Sequence, residues 1–426
     1  MTSPGSLRSR RFLIFSLAAA ALTASFMLTE PTLPRSGPEP RIDRLDVITL
    51  NEAAGALVSI LLGLPLGVLI DRVRRRRSIM VMMALLGAVA VASVTVADGL
   101  GATSRPHIIA VMTVMTALAV VAPAIQDAYL PSLVGRERLV PANALLSVLP
   151  QILLLSLMPV LSLLDEDAFA FLVVVGVAMA VAALLFRSVD AAEEPPPPRV
   201  GLCREMAEGI RFTVKHPVLR AIILYLVVSA LLAELVDEAT DEALSMALDS
   251  AATEAPLEFY QWSVMVPLYG APLLGALLAV LLCRRFGAFR LAWSAVLVSQ
   301  PFTLLLALSG TDQGGLWYAV GRFVPLTGTI VVAIALLSHR QAITPDRLLG
   351  RVGGLLFVLT GLAGSLGDLL ETPAEWLAGI GGSTPAPLTL LPGLALATVA
   401  TLAAVVPLLR ARHLATGPVS ETTAAQ

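Results

Sequence analysis

The residues with the clearest capacity for chemistry are charged side chains within or beside long apolar runs: Glu52, Glu234, Asp237 and Arg322. Placing a charge at the centre of a bilayer costs about 2.5–3.5 kcal/mol on insertion scales, so a charge retained there is a candidate for function. A carboxylate can take up and release a proton, and a guanidinium can hold an anionic group. These four residues are therefore candidates for substrate binding or proton coupling.

For Glu52 and Arg322, an interpretation without a function in transport is also open. Glu52 lies about five residues into its apolar run, where it is either a functional group or an interfacial side chain that reaches outer water. Arg322 lies a turn or more inside its run. It either extends outward along its aliphatic stem, faces a cavity and holds an anionic group, or pairs with Asp368 or Glu371. A buried pair is the favoured interpretation.

Glu234 and Asp237 begin an acidic stretch, 233–258, that holds eight acids and no base. Its charge density favours a solvated loop outside the membrane. If the preceding helix continues instead, acids three and four residues apart share one face, which can line an outer vestibule and relay protons. Glu234 is then the acid closest to the membrane interior.

A second feature is the segment "GVLIDRVRRRRSIM", residues 67–80, in which Asp71 precedes five arginines. Anionic headgroups favour each basic residue by about 1 kcal/mol near the membrane surface. The arginines therefore predict a cytoplasmic turn between two membrane spans. Asp71 either neutralises them or has a further partner.

Other kinds of chemistry are not indicated. Ser156 and Ser299 lie in apolar runs without a nearby histidine in the runs, and no GxxxxGK[ST] phosphate loop is present. The four histidines are scattered, and Cys203 and Cys283 form neither a disulfide framework nor a metal-ligand cluster. We expect no enzyme activity, no cofactor, no metal and no nucleic-acid partner.

The composition predicts an all-α integral membrane protein. The 426 residues are 57% hydrophobic and 14% charged, with mean hydropathy +0.83. Soluble domains carry about 25% charged residues, and a membrane-spanning helix needs about 20 apolar residues. Apolar runs predict twelve spans, with approximate cores at 12–28, 47–70, 78–97, 107–130, 142–163, 167–186, 217–233, 261–282, 290–309, 316–338, 350–370 and 387–409.

The basic residues predict the orientation of these spans. With both termini in the cytoplasm, 24 of the 29 lysines and arginines lie on the inner side. Cytoplasmic loops carry such an excess. Three arginines precede the first run, as in a signal peptide, but its apolar core of 17 residues is long and no clear small-x-small site follows. We expect an uncleaved first span in the plasma (cytoplasmic) membrane.

The spans divide into two six-helix bundles, 1–187 and 217–412. Between them, 188–216 is a polar linker with four consecutive prolines, which favour an extended chain, and an amphipathic helix from about 202 to 214 that can lie on the inner membrane surface. The tail, 413–426, is polar and expected to be disordered.

The two bundles are predicted to be pseudo-symmetric because the halves share matching segments. Gly63 and Asp71 are eight residues apart, as are Gly275 and Cys283, at an offset of 212. "PSLVGRERLVPAN" and "ITPDRLLGRVG" match at an offset of 209. Two anchors at nearly one offset indicate a duplicated unit, and duplicated membrane units bind substrate between the repeats.

These segments resemble the major facilitator superfamily of secondary transporters. Gly67, Asp71 and Arg72, followed by Arg75, Arg76 and Arg77, match its signature between spans 2 and 3, although Arg74 stands where a glycine is expected. "PAIQDAYLPSLVGRERLVPANALLSV", residues 123–148, "GIRFTVKHPVLRAI" and "RLLGRVGGL" resemble the siderophore and macrolide exporter branch. A departure from that branch is Ile125, where those exporters often carry arginine.

The resemblance implies roles for particular residues. Asp71 pairs with nearby bases and with the amino end of span 11, at Gly350 and Arg351, and so latches the halves in an outward-open state. The positive end of a helix suits a carboxylate. Position, rather than the resemblance, gives the role of Asp127, which ends span 4 on the inner side: it is expected to be structural, paired with Arg136 or Arg138, or else to act in inner gating. Together with Asn143, these residues are the structural or gating candidates.

The sequence therefore predicts a monomeric, proton-coupled exporter of a small amphipathic molecule, an antiporter of drug-like or siderophore-like compounds that works by alternating access. Without a nucleotide site, energy must come from an ion or substrate gradient. The alternatives are a metabolite importer or facilitator, and a transport-inactive sensor or scaffold. A membrane enzyme would need a nucleophile with a base, or a metal cluster, within the spans, and the sequence indicates neither.

Overall fold

The computed structural model describes residues 9–33, 44–73, 75–162, 168–189, 201–250, 261–367 and 390–413. These residues are almost entirely helical and contain no β-strand. Within these residues, each of the twelve predicted spans coincides with helix, so the prediction of an all-α, twelve-helix membrane protein is confirmed.

Fifteen α-helices are numbered here in chain order. They are α1 (Arg10–Thr32), α2 (Arg44–Arg72), α3 (Arg76–Gly99), α4 (Arg105–Val134), α5 (Leu139–Ser162), α6 (Ala168–Ser188), α7 (Leu202–Lys215), α8 (Pro217–Leu231), α9 (Ala233–Ser250), α10 (Ala271–Phe286), α11 (Ala288–Ser299), α12 (Gly314–Ile343), α13 (Leu349–Gly367), α14 (Leu391–Ala404) and α15 (Val406–Ala411). A π-helix spans Gln261–Gly270, and 3-10 helices span Arg136–Arg138, Gln300–Leu308 and Asp346–Leu348.

Ten helical segments of the described chain are long and apolar enough to cross a membrane. The pair α7 and α8, bent by 96° at His216, adds an eleventh if it is counted as one span. The 29-residue helix α2 coincides with the remaining predicted span. The protein is therefore a multi-pass membrane protein.

The chain forms two compact units. Unit 1 comprises Met1–Gly209 and Gln341–Leu362, and unit 2 comprises Ile210–Arg340 and Ala363–Gln426. Unit 1 thus combines the first half of the sequence with the first part of α13. Its core is built from α1, α3, α4 and α6, where the ring of Phe15 lies 5.7 Å from that of Tyr129 and 6.0 Å from that of Phe186.

The internal repeat is visible in the secondary structure. α4 and α12 each have 30 residues, and their first residues are 209 positions apart. Each is followed by a three-residue 3-10 turn, Arg136–Arg138 or Asp346–Leu348, and then by another long helix. The two segments that suggested a duplication therefore fold in the same way.

The acidic stretch is helical where the structure describes it, contrary to the interpretation as a solvated loop that charge density favoured. α9 covers its first 18 residues. The reason is the apolar row Leu235, Ala239, Ala243 and Ala247, spaced four apart and buried in unit 2. This periodicity outweighs the repulsion between acids on the other faces, which water screens.

Within unit 1, α2 and α13 cross at two pairs of glycines. A Cβ atom at Gly67 would overlap the carbonyl oxygen of Gly350, and one at Gly354 would overlap the carbonyl oxygen of Gly63. Small residues allow helix backbones this close in a membrane, where packing rather than the hydrophobic effect drives association. The crossing brings the end of α2 to the start of α13.

Gly354→Ala should therefore lower the melting temperature of the purified protein, because the methyl group pushes one backbone away from the other. Overpacking of this kind costs about 1–3 kcal/mol. The matched control is Gly353→Ala, where the added atom meets nothing within 4 Å. Alanine favours helix over glycine by about 0.5–1 kcal/mol, so the control should match or exceed wild type. Equal melting temperatures for the two variants would rule out a tight crossing.

Candidate functional site

The Asp71 carboxylate is bound by the start of α13 within unit 1. Its Oδ1 accepts the Gly350 N–H at 2.8 Å, and its Oδ2 accepts the Arg351 N–H at 3.1 Å. These N–H groups lie in the first turn of α13, where helical partners are missing and the helix dipole is positive. The Asp71 side chain is fully buried, so these bonds replace its hydration.

Two guanidinium groups neutralise this buried carboxylate. Arg76 Nη2 and Arg351 Nε each lie 3.6 Å from an Asp71 oxygen. Arg76 also donates from Nη1 to the carbonyl oxygen of Ala128 at 2.7 Å, which fixes the turn between α2 and α3 against α4. Arg75, by contrast, is exposed at the start of α3.

A second carboxylate, Glu205 of α7, joins the same group of charges. Arg72 donates to it through Nε at 3.0 Å and Nη2 at 2.8 Å, as a guanidinium fork does to both carboxylate oxygens. Arg351 Nη2 donates to Glu205 Oε2 at 3.1 Å. Glu205 is 2% exposed. The sequence reasoning did not single out this residue, although it anticipated the helix that carries it.

Arg351 is the centre of these contacts. Its side chain is 4% exposed and touches Asp71, Glu205 and, through Nη1, Glu208. We call Asp71, Arg72, Arg76, Glu205, Glu208 and Arg351 the Asp71 cluster. Three acids and three bases compensate one another, so the buried charges of Asp71, Glu205 and Arg351 are paired. α7 approaches closely because Gly209 faces the Cβ of Arg351.

A second polar group in unit 1 surrounds Arg136, in the turn after α4. Its guanidinium donates to the carbonyl oxygens of Ala342 and Thr344, and Nη2 bonds Asp346 Oδ1 at 2.9 Å. Arg136 therefore fixes the turn before α13. Arg136, one of the two expected partners of Asp127, is engaged with this turn, and the expected pairing of Asp127 with Arg136 or Arg138 stays a prediction.

Asn143 of α5 lies in the same region. Its Nδ2 donates to Gln341 Oε1 at 2.8 Å, and Gln341 Nε2 donates to the backbone carbonyl of Asp127 at 3.2 Å. Asn143 and Gln341 are buried. Asp127 and Arg138 are half-buried near by. These buried amides link α4 and α5 to the end of α12.

Unit 2 contains a cavity of about 360 Å³. The aliphatic part of its wall is supplied chiefly by leucines and valines of α8, α9 and α12, and hydroxyl groups come from tyrosine, serine and threonine. The lining residues are Tyr225, Leu226, Ser229, Leu232, Ala233, Val236, Asp237, Thr240, Gln300, Thr303, Leu306, Gly321, Arg322, Pro325, Leu326, Thr329, Val332, Ala333 and Thr401. A smaller cavity of about 100 Å³ in unit 1 has no charged residue in its wall.

Arg322 and Asp237 are the charged residues that line the larger cavity. Arg322 Nη1 lies 3.2 Å from Asp237 Oδ1 and 3.4 Å from the hydroxyl of Thr240. The partner of Arg322 is thus an acid of α9. The partners expected from the sequence, Asp368 and Glu371, lie outside the described residues.

The remaining candidates are placed apart from this pair. Glu234 is half-buried on α9 beside Gly367 and is not part of the cavity wall. Glu52 belongs to α2 of unit 1, and its side chain lies outside the described residues. The cavity therefore brings together two of the four charged residues that the sequence indicated.

The fold and the buried polar groups define a multi-pass helical membrane protein made of two similar halves. A family model described as Major Facilitator Superfamily matches residues 9–367, and the chain belongs to this family. Members of the family are transporters rather than enzymes, and they bind small-molecule substrates, often coupled to protons. No curated protein matches the chain significantly.

Solved structures share the fold at low sequence identity. A bacterial homologue of the iron transporter ferroportin in the outward-facing state is 16% identical, with TM-score 0.66 over 95% of this chain and 100% of that chain. The E. coli fucose:proton symporter is 13% identical, with TM-score 0.64 over 96% and 97%. The human organic anion transporter MFSD10 is 16% identical, with TM-score 0.60 over 92% and 99%. At this identity the likeness shows the fold alone.

Proposed function

We propose that this transporter is a proton-coupled exporter of a small amphipathic molecule, working by alternating access as a monomer in the cytoplasmic membrane with both termini inside. The observation that carries the proposal is the double hydrogen bond from the start of α13 to Asp71. It joins a residue of the first half of the sequence to the second half through hydrogen bonds to Gly350 and Arg351.

Asp71 acts in this proposal as a latch. When its carboxylate accepts both N–H groups, α2 and α13 are held together at one membrane surface, and the passage opens toward the other. Release requires a buried carboxylate to give up two hydrogen bonds and two cationic neighbours. Substrate and protons must supply this free energy by binding more tightly to the released arrangement.

The groups around Arg136, Asp127, Arg138 and Asn143 have a supporting role in this proposal. Their bonds hold the turn that leads into α13, so they position its N–H groups for Asp71. They are positioning and gating groups that do not touch the substrate.

Proton coupling is assigned to the carboxylates Glu52, Glu234 and Asp237. The ion pair between Asp237 and Arg322 at the cavity supports a place for Asp237 in this set. Protonation of Asp237 removes the charge that Arg322 attracts, which ties proton uptake to the state of the cavity.

Inverted membrane vesicles test the proposed function. They are energised to pump protons inward, the gradient is followed by quenching of a pH-sensitive acridine dye, and amphipathic compounds are added from a panel that includes aryl carboxylates. We expect at least one compound to restore fluorescence in vesicles with this protein and not in empty-vector vesicles. Uptake down a gradient without a proton response would identify a facilitator, and no response to any compound would contradict the proposal.

A further inference from the structure

The two charged residues of the unit 2 cavity differ in how far they are enclosed, and this difference indicates what the cavity binds. The surface of its wall is mostly apolar, and its basic residue within the described chain is Arg322. The Arg322 side chain is 32% exposed, whereas the Asp237 side chain that pairs with it is 61% exposed. The more enclosed charge is thus positive, and its counter-ion is the more accessible of the two.

The guanidinium of Arg322 is only partly used. Among the described residues, its hydrogen bonds are made by Nη1 alone, to Asp237 and Thr240. Guanidinium carries five N–H donors in a planar fork. Within the described ranges, the Nε and Nη2 donors make no hydrogen bond, and these two donors form the edge that binds a carboxylate with two parallel bonds.

We propose that the cavity binds an amphipathic organic anion, whose carboxylate or similar head group takes the Nε and Nη2 edge of Arg322 while its apolar body lies against Leu226, Val236 and Leu326. The volume of about 360 Å³ lies within the range of small-molecule sites. Asp237 is then a displaceable counter-ion, which competes with the anion for one guanidinium. This inference deepens the proposed function and rests on it.

Three compounds with one apolar body test the head group: 1-naphthoate, 1-naphthamide and 1-naphthylmethylammonium. Their binding to the purified full-length protein is measured by calorimetry in a non-ionic detergent. We expect the carboxylate to bind at least tenfold more tightly than the amide and the ammonium compound. Equal affinities, tighter binding of the ammonium compound, or no saturable binding would overturn the inference.

Variants then assign the preference to Arg322. Arg322→Gln should bring the carboxylate and the amide within about twofold of each other, and Arg322→Lys should keep a reduced preference, because an ammonium lacks the fork. Asp237→Asn should tighten carboxylate binding severalfold by removing the competing charge. The control Arg290→Gln, an exposed arginine of α11, should bind as wild type does.

Two results keep the inference falsifiable if Arg322→Gln misfolds. The first is Asp237→Asn, which leaves the arginine in place: weaker carboxylate binding in that variant would by itself contradict displacement of a counter-ion. The second is the comparison of the three compounds on the wild-type protein, which needs no variant. Binding is measured without a membrane gradient. Loss of the carboxylate preference would therefore overturn the substrate class and leave the transport proposal standing, while inactive vesicles would overturn transport alone.

Discussion

Asp71→Asn should abolish transport in vesicles, to below about one hundredth of the wild-type rate, while the protein is still produced and purified at normal yield. The amide keeps the size of the side chain but loses its charge and replaces one acceptor oxygen with a donor group. That donor meets an N–H of α13, and Arg76 and Arg351 lose their shared counter-ion. Removing one partner of a buried ion pair costs about 3–5 kcal/mol.

A cost of this size shifts the equilibrium between the latched and released arrangements by more than about a hundredfold, since 1.4 kcal/mol is a factor of ten. Alternating access requires both arrangements to be populated in each cycle. The membrane-spanning helices keep their lipid-facing and core contacts, which is why the yield should be unaffected.

Hydrogen–deuterium exchange provides a measurement that does not depend on the substrate. In Asp71→Asn, amides in the first turns of α13 should exchange faster than in wild type, because Gly350 and Arg351 lose their acceptor. Asp312→Asn, at an exposed acid between the 3-10 helix Gln300–Leu308 and α12, is the matched control and should change neither exchange nor transport. Normal transport in Asp71→Asn would eliminate the latch.

The placement of Asp71 illustrates what the sequence predicts well. The glycine pairs Gly63/Gly67 and Gly350/Gly354 and the basic turn are local patterns of fixed spacing. Spacings of the same kind revealed the repeat, namely Gly63 to Asp71 against Gly275 to Cys283, and the two similar turns 209 residues apart. The pairing of Asp71 with the start of α13 was implied by the family resemblance, and the glycines of both helices permit the close crossing that brings the two together.

The partners of charged residues were harder to predict. Arg322 pairs with Asp237 of α9, which lies on a different face of that helix from the buried apolar row. The high charge density of residues 233–258 favoured a loop over a helix, because a count of charges does not show on which face of a helix each residue lies. Pairing across helices depends on tertiary packing, which residue spacing along one segment does not specify.

Glu205 shows the same difficulty in the linker. An amphipathic helix at a membrane surface is expected to leave its acids in water, yet in α7 the buried row is Glu205, Gly209 and Thr213, while Ile210 and Val214 are exposed. The sequence does contain a pattern that indicates burial of Glu205, because the small residues Gly209 and Thr213 follow it at intervals of four. That spacing marks a face that packs against another helix, and it places an acid at one end of that face.

Glu205→Gln should release α7 from unit 1 and reduce transport at least tenfold. The carboxylate accepts three hydrogen bonds from two arginines, two from Arg72 and one from Arg351. An amide retains one acceptor oxygen, so at least one guanidinium faces an N–H group. Each hydrogen bond to a charged group contributes about 1.5–3 kcal/mol. Amides of α7 should then exchange with solvent at least tenfold faster.

Glu208→Gln is the matched control, because Glu208 lies one turn further along α7 and also contacts Arg351. Its side chain is 44% exposed, and exposed ion pairs contribute about 0–1 kcal/mol. Exchange in α7 should therefore rise by less than about fivefold in this variant. If the two variants behave alike, burial of Glu205 does not anchor the linker. If only Glu205→Gln accelerates exchange and slows transport, the linker helix is a third component of the latch, because Arg351 then holds Asp71 of α2 and Glu205 of α7 with one side chain.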